Sequence, residues 1–334
     1  MLTDFKIKTY DFLAQREYFR NRHLKKQWHA IAMIGEEGDT VETANRCPTW
    51  FGSIVSSAKN YFLRGGGVGG IVDLAYPMSN PMFGDLFVSH LKVGKTDAKL
   101  IPSFVPLAIT EVKKLPKSVV VSYKGIGGAP DLIRLFSSGA IRCTEHPANP
   151  HGRAFDTEYQ LFKKVVIAVD DTDSSAKGAT FNTALQLASV LDKASSDYRF
   201  LRLTLSLNWP ANPAKTTNNA SSALVFAVTP GKEDQLARDF ERLIRKYTIS
   251  KETGMVVSKK VRSPESLKEY SRKVKRQQVT VSEAYKAAEQ AGVKMIPITG
   301  ERGLIGALSV VGLVDDAEEA LTPVKEYAPA VVMA

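Results

Sequence analysis

The sequence predicts an α/β fold with mixed sheets, arranged as two domains. Three observations carry that prediction. Val165–Val169 is a run of five apolar, mostly β-branched residues that ends in an acidic turn, Asp170-Asp171-Thr172-Asp173. A run of this kind reads as a strand buried on both faces. A small-residue loop follows, then a helical pattern through Ala184, Leu185, Leu187, Ala188 and Leu191. Downstream of that unit, strand-like and helix-like segments succeed one another almost to the end of the chain. Finally, 334 residues suit two domains, and the Pro-, Asn- and Gly-rich stretch from Glu145 to Gly152 reads as a linker. The division is residues 1–155, an N-terminal α+β domain, and residues 156–334, an α/β domain built on the acidic-turn unit.

The elements follow in order. Residues 1–30 interleave Arg16, Arg20, Arg22, Lys25 and Lys26 with Tyr10, Phe12, Tyr18, Phe19 and Trp28. That is the pattern of an amphipathic helix with its aromatics inward; an RNA-facing helix is the other reading. Trp28–Ile34 reads as a strand, Gly35–Asp39 as a turn and Val41–Thr43 as its return. Arg64–Gly70 is a glycine-rich loop without the Lys-Ser/Thr of a P-loop. Leu86–Val93 and Ser118–Tyr123 read as strands, and Lys124–Pro130 as a glycine turn into a short helix, Asp131–Phe136. His146 and His151 stand near Glu145, but no fourth metal ligand is evident.

Beyond the acidic turn, Phe200–Leu207 and Ser222–Val228 read as strands. The loop between them, Asn208–Ala220, is held extended by two prolines and then presents Lys215, Thr216, Thr217, Asn218 and Asn219, an inventory suited to phosphate oxygens. Glu233–Tyr247 is an amphipathic helix. Residues 259–276 hold eight Lys or Arg against two acids, which suits an RNA-binding face or a solvated helix face. Val281–Ala291 is a helix closed by Gly292. Val293–Ile298 reads as a strand that Pro297 confines to an edge. Gly300–Leu308 then opens a helix with Gly300, Gly303 and Gly306 beside Arg302, suited to an anion at a helix N-terminus or to tight packing. Asp315–Leu321 adds an acidic helix.

Composition narrows the class. The chain is 44% hydrophobic and 24% charged, enough for a sizeable core. No apolar run approaches the ~20 residues of a membrane span, and the N-terminus lacks a signal-peptide core. The two cysteines, Cys47 and Cys143, form no Cys-x-x-Cys. A cytoplasmic protein without a membrane partner is expected. The net charge of +10 points to anionic partners, nucleotide or nucleic acid.

Asp170, Asp171 and Asp173 are the candidate metal ligands. Three carboxylates this close repel one another unless a divalent cation neutralises them. Oxygen ligands with no His or Cys nearby suit Mg²⁺, usually shared with substrate phosphates. The loop and helix that follow would offer backbone N–H groups to a phosphate. An acidic turn with a helix cap is the plainer alternative.

Three motifs in one order carry a family resemblance: Val-Asp-Asp-Thr-Asp-Ser at 169–174, Lys-Thr-Thr-Asn-Asn-Ala at 215–220, and Gly-Glu-Arg-Gly-Leu-Ile-Gly-Ala-Leu at 300–308. They resemble the kinase-like domain of archaeal agmatidine synthetase, which attaches agmatine to a tRNA wobble cytidine using ATP. The sequence is more similar still to methanogenesis marker protein 11, through Tyr123–Ala129, the spacing from Val169 to Thr180, and overall length; this likeness covers residues 117–316. The resemblance implies a domain that binds ATP and Mg²⁺ for phosphoryl transfer. It implies that Asp170, Asp171 and Asp173 hold the metal, and that Lys215, Thr216 and Asn219 lie near the reacting phosphate. Gly300, Arg302, Gly303 and Gly306 would line the same pocket, with Thr172, Gly178 and Thr180 also at the cofactor. Thr180 would be the counterpart, after a shift in spacing at Gly178, of a threonine that is phosphorylated in the synthetase. Two departures stand out: Thr217-Asn218 replaces an Arg-Gly of the synthetase, and no OB-like domain or zinc ribbon follows the third motif.

The expected function is an ATP- and Mg²⁺-dependent phosphotransferase or ligase whose acceptor is RNA or protein, selected by the N-terminal domain. The alternatives are a nucleotide-binding assembly or maturation factor for methanogenesis-type enzymes, and a tRNA-modifying enzyme. Self-association into a homo-oligomer stays open.

Overall fold

The structure is a computed structural model; it describes residues 30–47, 71–80, 84–97, 100, 106–137, 140–148, 152–216 and 219–324. The readings at residues 1–29, at Arg64–Gly70, and at His151, Thr217 and Asn218 lie outside the described residues. The described residues fall into two units, divided between Lys163 and Lys164.

In the N-terminal unit, β1 (Ala30–Ile34) and β2 (Thr40–Cys47) form the expected hairpin, with Ile34 opposite Val41. β2 pairs with β4 (Gly84–Lys92), and β4 with β3 (Val72–Asn80), all antiparallel. β5 (Gly94–Lys95), β6 (Leu107–Lys114) and β7 (Ser118–Gly125) add a second antiparallel set. The long β9 (Gly152–Asp170) joins them, antiparallel to β7 and parallel to β1. Helix α1 (Ala129–Phe136) packs on β7. The core is Leu107, Ile109, Val119, Val121, Ile133 and Phe155 with their neighbours. Inside it the Tyr123 and Tyr159 hydroxyls lie 3.0 Å apart, and burial pushes both phenols well up.

One reading is corrected here. Residues 145–148 and 152 are not linker: β8 (Arg142–Ala148) pairs antiparallel with Gly152–Glu158 of β9, and His146 Nε2 sits 3.0 Å from Asp156 Oδ2. β8 has β9 as its one partner among the described strands, so Pro147 occupies an edge, where the ladder tolerates a missing N–H.

In the C-terminal unit the last residues of β9 are central. β12 (Gly254–Ser258) pairs antiparallel with them, Gly254 opposite Asp170, and β13 (Lys294–Pro297) closes that side as an edge strand. On the other side lie β11 (Ala220–Val228) and then β10 (Tyr198–Leu207), antiparallel to each other. Helices cover both faces, as the continuous apolar run requires. Val166 and Ala168 face α4 (Glu265–Arg276), α5 (Val281–Ala291) and α6 (Gly303–Gly312) through Leu267, Val274, Ala288, Leu304 and Leu308. Val165, Ile167 and Val169, also buried, point the other way. There α2 (Thr180–Ala194) packs on β10 and β11, and α3 (Glu233–Tyr247) packs on α2. The short α7 (Ala317–Leu321) lies by β10. α5 begins in a complete capping box of Thr280 and Glu283, and Gly292 ends it at φ 63°.

Five of the eight basic side chains in the stretch 259–276 pair within the chain. Lys259 contacts Asp234 at 2.9 Å, Lys268 contacts Glu265 at 3.2 Å, Arg272 contacts Glu319 at 2.6 Å and Lys273 contacts Glu283 at 2.6 Å. Lys275 turns inward and donates to Leu207 O and Ala320 O.

Candidate functional site

The site forms where β9 stops. Asp170 is its last residue, and in an open α/β sheet ligands gather at strand carboxyl ends. Its Oδ1 accepts the Asp171 N–H at 2.8 Å. Asp171 turns the chain in the left-handed region at φ 53°, and its backbone oxygen accepts from Thr253 Oγ1 at 2.6 Å. Arg302, at the start of α6, donates from Nε to Asp171 Oδ2 at 3.0 Å. Asp170, Asp171, Arg302 and Gly306 line one cleft with Asn219 and the amides of Asn208, Asn212, Gln277 and Gln278. Trp209, Val274, Val279 and Ile305 supply its apolar wall. The cleft encloses about 110 Å³, less than the ~300–1,000 Å³ of typical small-molecule sites.

Gly306 decides how close α6 can come. A Cβ there would lie 1.8 Å from Asp170 Oδ2 and 2.9 Å from Asn208 Nδ2. Gly303 is equally tight, with Asp170 O and Glu252 O both 2.7 Å from where its Cβ would be. The helix therefore rests directly on the acidic turn.

Burial is the main cause that raises the Asp170 carboxyl well above the usual range, with Asp171 adding repulsion. Burial also raises Asp171, against the opposing pull of Arg302. Two half-buried carboxyls share one guanidinium, so the second can ionise fully only with a further positive charge beside it. A hard divalent cation would supply that charge, and the all-oxygen donor set fits one.

The remaining candidates fall in three groups. Asp173 is buried beside the cleft and accepts from Thr216 Oγ1 at 2.9 Å. Gly178, at φ 92°, packs its Cα against the Asp173 Cβ. Thr172 and Thr180 pair: the Thr180 hydroxyl accepts from Thr172 N at 3.2 Å and from Thr172 Oγ1 at 3.3 Å, buried at the start of α2. Lys215 stands apart. It is exposed, and its Nζ donates to Pro210 O at 2.6 Å rather than lining the cleft. Gly300 packs against Lys251 O and the Glu252 side chain, outside the lining. The sequence reading missed Asn208, Trp209, Gln277 and Gln278 as lining residues. The one available signal was position: the first two follow directly on strand β10, the others on helix α4.

Among the described residues, neither α2 nor α6, both beginning beside the acidic turn, has a side-chain cap, at Ala179 or Arg302 respectively. At α6 the first N–H groups are met within the chain instead: Gly303, Leu304 and Ile305 donate to the backbone oxygens of Glu252, Glu301 and Arg302.

Comparison with known proteins agrees with this architecture. The chain is 32% identical over 228 residues to uncharacterized protein MJ0921 of Methanocaldococcus jannaschii, an alignment covering 67% of this chain and 76% of that protein. The chain belongs to that protein's family. Within it, residues 166–300 match the TiaS TCKD domain family, so the unit from Lys164 onward carries a TiaS-like domain. The tRNA 2-agmatinylcytidine synthetase TiaS of Pyrococcus horikoshii is 29% identical over 154 residues. That alignment spans 44% of this chain and 35% of the synthetase, about a third of its length. A solved complex of TiaS with its tRNA and ATP aligns with 45% of this chain and 36% of its own, at 22% identity and a TM-score of 0.40. Among the described residues no helix is long and apolar enough to cross a membrane.

Proposed function

We propose that the C-terminal unit is the nucleotide-binding domain of an ATP- and Mg²⁺-dependent phosphotransferase or ligase. The observation that carries this reading is the half-buried Asp170 carboxyl, set against Gly306 in a cleft whose other acid, Asp171, is already met by Arg302. Asp170 and Asp171 would hold Mg²⁺, which supplies charge neutralisation and orients phosphate oxygens. Asp173, fixed by Thr216, supports the turn. Arg302 and Asn219 are placed to bind phosphate oxygens, by charge and by side-chain donation. Lys215 joins them when it exchanges Pro210 O for a phosphate. Thr180 serves as the acceptor that ties the turn to α2, and not as a phosphoacceptor. The TiaS-like domain supports ATP as the nucleotide, because a relative of that name has been solved with ATP. The likeness to methanogenesis marker protein 11 belongs to the same reading and leaves the acceptor unnamed, RNA or protein.

The test is calorimetric titration of the full chain with ATP, with and without Mg²⁺, on the wild type and on Asp170→Asn, followed by identification of the product nucleotide. Mg²⁺-dependent binding lost in the variant supports the site. ADP or AMP formed over time separates phosphoryl from adenylyl transfer. Binding without turnover favours an assembly or maturation factor. A folded wild type that binds no ATP refutes the proposal.

A further inference from the structure

Two polar atoms on residues lining the cleft are buried without a partner among the described residues: Asn208 Oδ1, on a residue only 7% exposed, and the indole Nε1 of Trp209. The metal and phosphate roles above use neither. One is an acceptor, and the other can only donate. A divalent cation would satisfy the first alone and a phosphate the second alone. A single organic group that satisfies both carries a donor and an acceptor.

The surroundings are suited to the uncharged part of a nucleotide. Val274, Val279 and Ile305 give an apolar wall for a ring, and Gln277 and Gln278 add amides. Both residues are also held in place before any ligand arrives. Asn208 Nδ2 donates to Ser221 Oγ at 2.9 Å, and Asn208 N donates to Asn219 O at 2.8 Å. Trp209 N donates to Val274 O at 3.0 Å, while Trp209 O accepts from Asn219 Nδ2 at 2.5 Å. Groups fixed in advance lose little freedom on binding.

We infer that Asn208 and Trp209 recognise the nucleoside end of the nucleotide through one donor and one acceptor. These come either from the base edge, an exocyclic amine beside a ring nitrogen, or from the ribose hydroxyls. The inference rests on the nucleotide-binding reading and adds to it the residues that select the nucleoside.

The experiment is calorimetric titration of the full chain with Mg²⁺ and each of four ligands: ATP, purine riboside triphosphate, 2′-deoxy-ATP and 3′-deoxy-ATP. The proteins are the wild type, Trp209→Phe, which keeps an aromatic ring and removes the N–H, and Asn208→Ala. Each variant is expected to bind ATP roughly 2- to 13-fold more weakly, the worth of one hydrogen bond. At least one analogue should bind Asn208→Ala and wild type alike, because it lacks the group that donates to Asn208. Insensitivity with purine riboside triphosphate assigns the base edge; insensitivity with a deoxy analogue assigns the ribose. Variants that bind ATP like the wild type, or an Asn208→Ala protein that loses the same factor against every analogue, overturn the inference and leave the nucleotide reading standing. A wild type that binds no ATP overturns both. Should Asn208→Ala fail to fold, the indole N–H resonance of Trp209 in the wild type decides: a downfield shift on adding Mg-ATP supports the inference, and an unmoved signal overturns it.

Discussion

Replacing Gly306 with alanine should remove cation-dependent nucleotide binding while leaving the chain folded. The new Cβ would meet Asp170 Oδ2 at 1.8 Å and Asp170 Cγ at 2.8 Å. Real Cβ contacts stay beyond 3.0 Å, so the oxygen must retreat by at least about 1 Å, since contacts that close are repulsive. Its escape routes are few. Oδ1 is held by the Asp171 N–H, and the Asp170 backbone is in register with Gly254. Helix α6 cannot back away as a unit without unpacking Leu304 and Leu308 from the core. A displacement of about 1 Å at a reacting site costs on the order of 10²-fold, or about 2.7 kcal/mol. The helix itself gains up to about 1 kcal/mol from Gly→Ala, which offsets part of the clash. The assay is calorimetry with Mg-ATP beside a thermal melt, with Gly128→Ala, whose Cβ meets nothing within 4 Å, as control. A folded Gly306→Ala protein that binds Mg-ATP within twofold of wild type would refute Asp170 as the metal-holding carboxylate.

Three further outcomes follow from the same geometry. The Asp170 carboxyl is raised by burial and by Asp171, so the folded state holds its proton to higher pH than the unfolded chain. Metal-free wild type should therefore lose stability relative to Asp170→Asn as pH rises from the ordinary carboxylate range through the raised pKa, with Mg²⁺ narrowing the gap; urea melts at a series of pH values would test this. Thr180→Val removes the acceptor of two buried Thr172 groups and should cost about 1–3 kcal/mol in a urea melt, whereas a cost near zero would deny Thr180 its tying role. Asn219→Gly keeps the φ 49° backbone without strain but deletes the Nδ2 bond to Trp209 O; stability should change by less than about 1 kcal/mol while Mg-ATP affinity falls, and unchanged affinity would remove Asn219 from the site.

What the sequence made legible depended on whether the signal was local. Helices α3 and α5 were readable to the residue, because the amphipathic period and the closing Gly292 are local signals. β12 was not read, although it is central: Gly-Met-Val-Val-Ser has no period, and its identity as a strand comes from pairing with β9 and β13. β3, β6 and β8 were missed for the same reason, and Pro147 made an edge strand look like a linker. At the site, Asp170, Asp171 and Arg302 were legible as residue types, but that Arg302 reaches Asp171 across 131 positions is a fact of the fold. Lys215 shows the reverse case: its chemistry was legible, while its direction is set by a contact with Pro210 five residues away. Asn208 and Trp209 were invisible as ligand-facing residues, because lacking a partner while buried is a property no residue has in sequence.

Backbone strain gives an independent argument for where function lies. Among the described residues, Asp171 and Asn219 are the non-glycine residues at positive φ, and both line the cleft. Asp and Asn tolerate the left-handed region better than most residues but less well than glycine, and glycine at either position would relieve the cost. Elsewhere the chain uses glycine for the same backbone, at Gly127, Gly178, Gly231 and Gly292. At the cleft, then, the side chain is kept at the expense of backbone comfort. Asp171 turns the strand end while presenting Oδ2 to Arg302, and Asn219 turns the loop while fixing Trp209. Strain of this kind persists where surrounding contacts over-determine it. Here Asp171 is held by Arg302 and Thr253, and Asn219 is tied to the proposed nucleoside-reading pair by two hydrogen bonds, one to Asn208 N and one to Trp209 O.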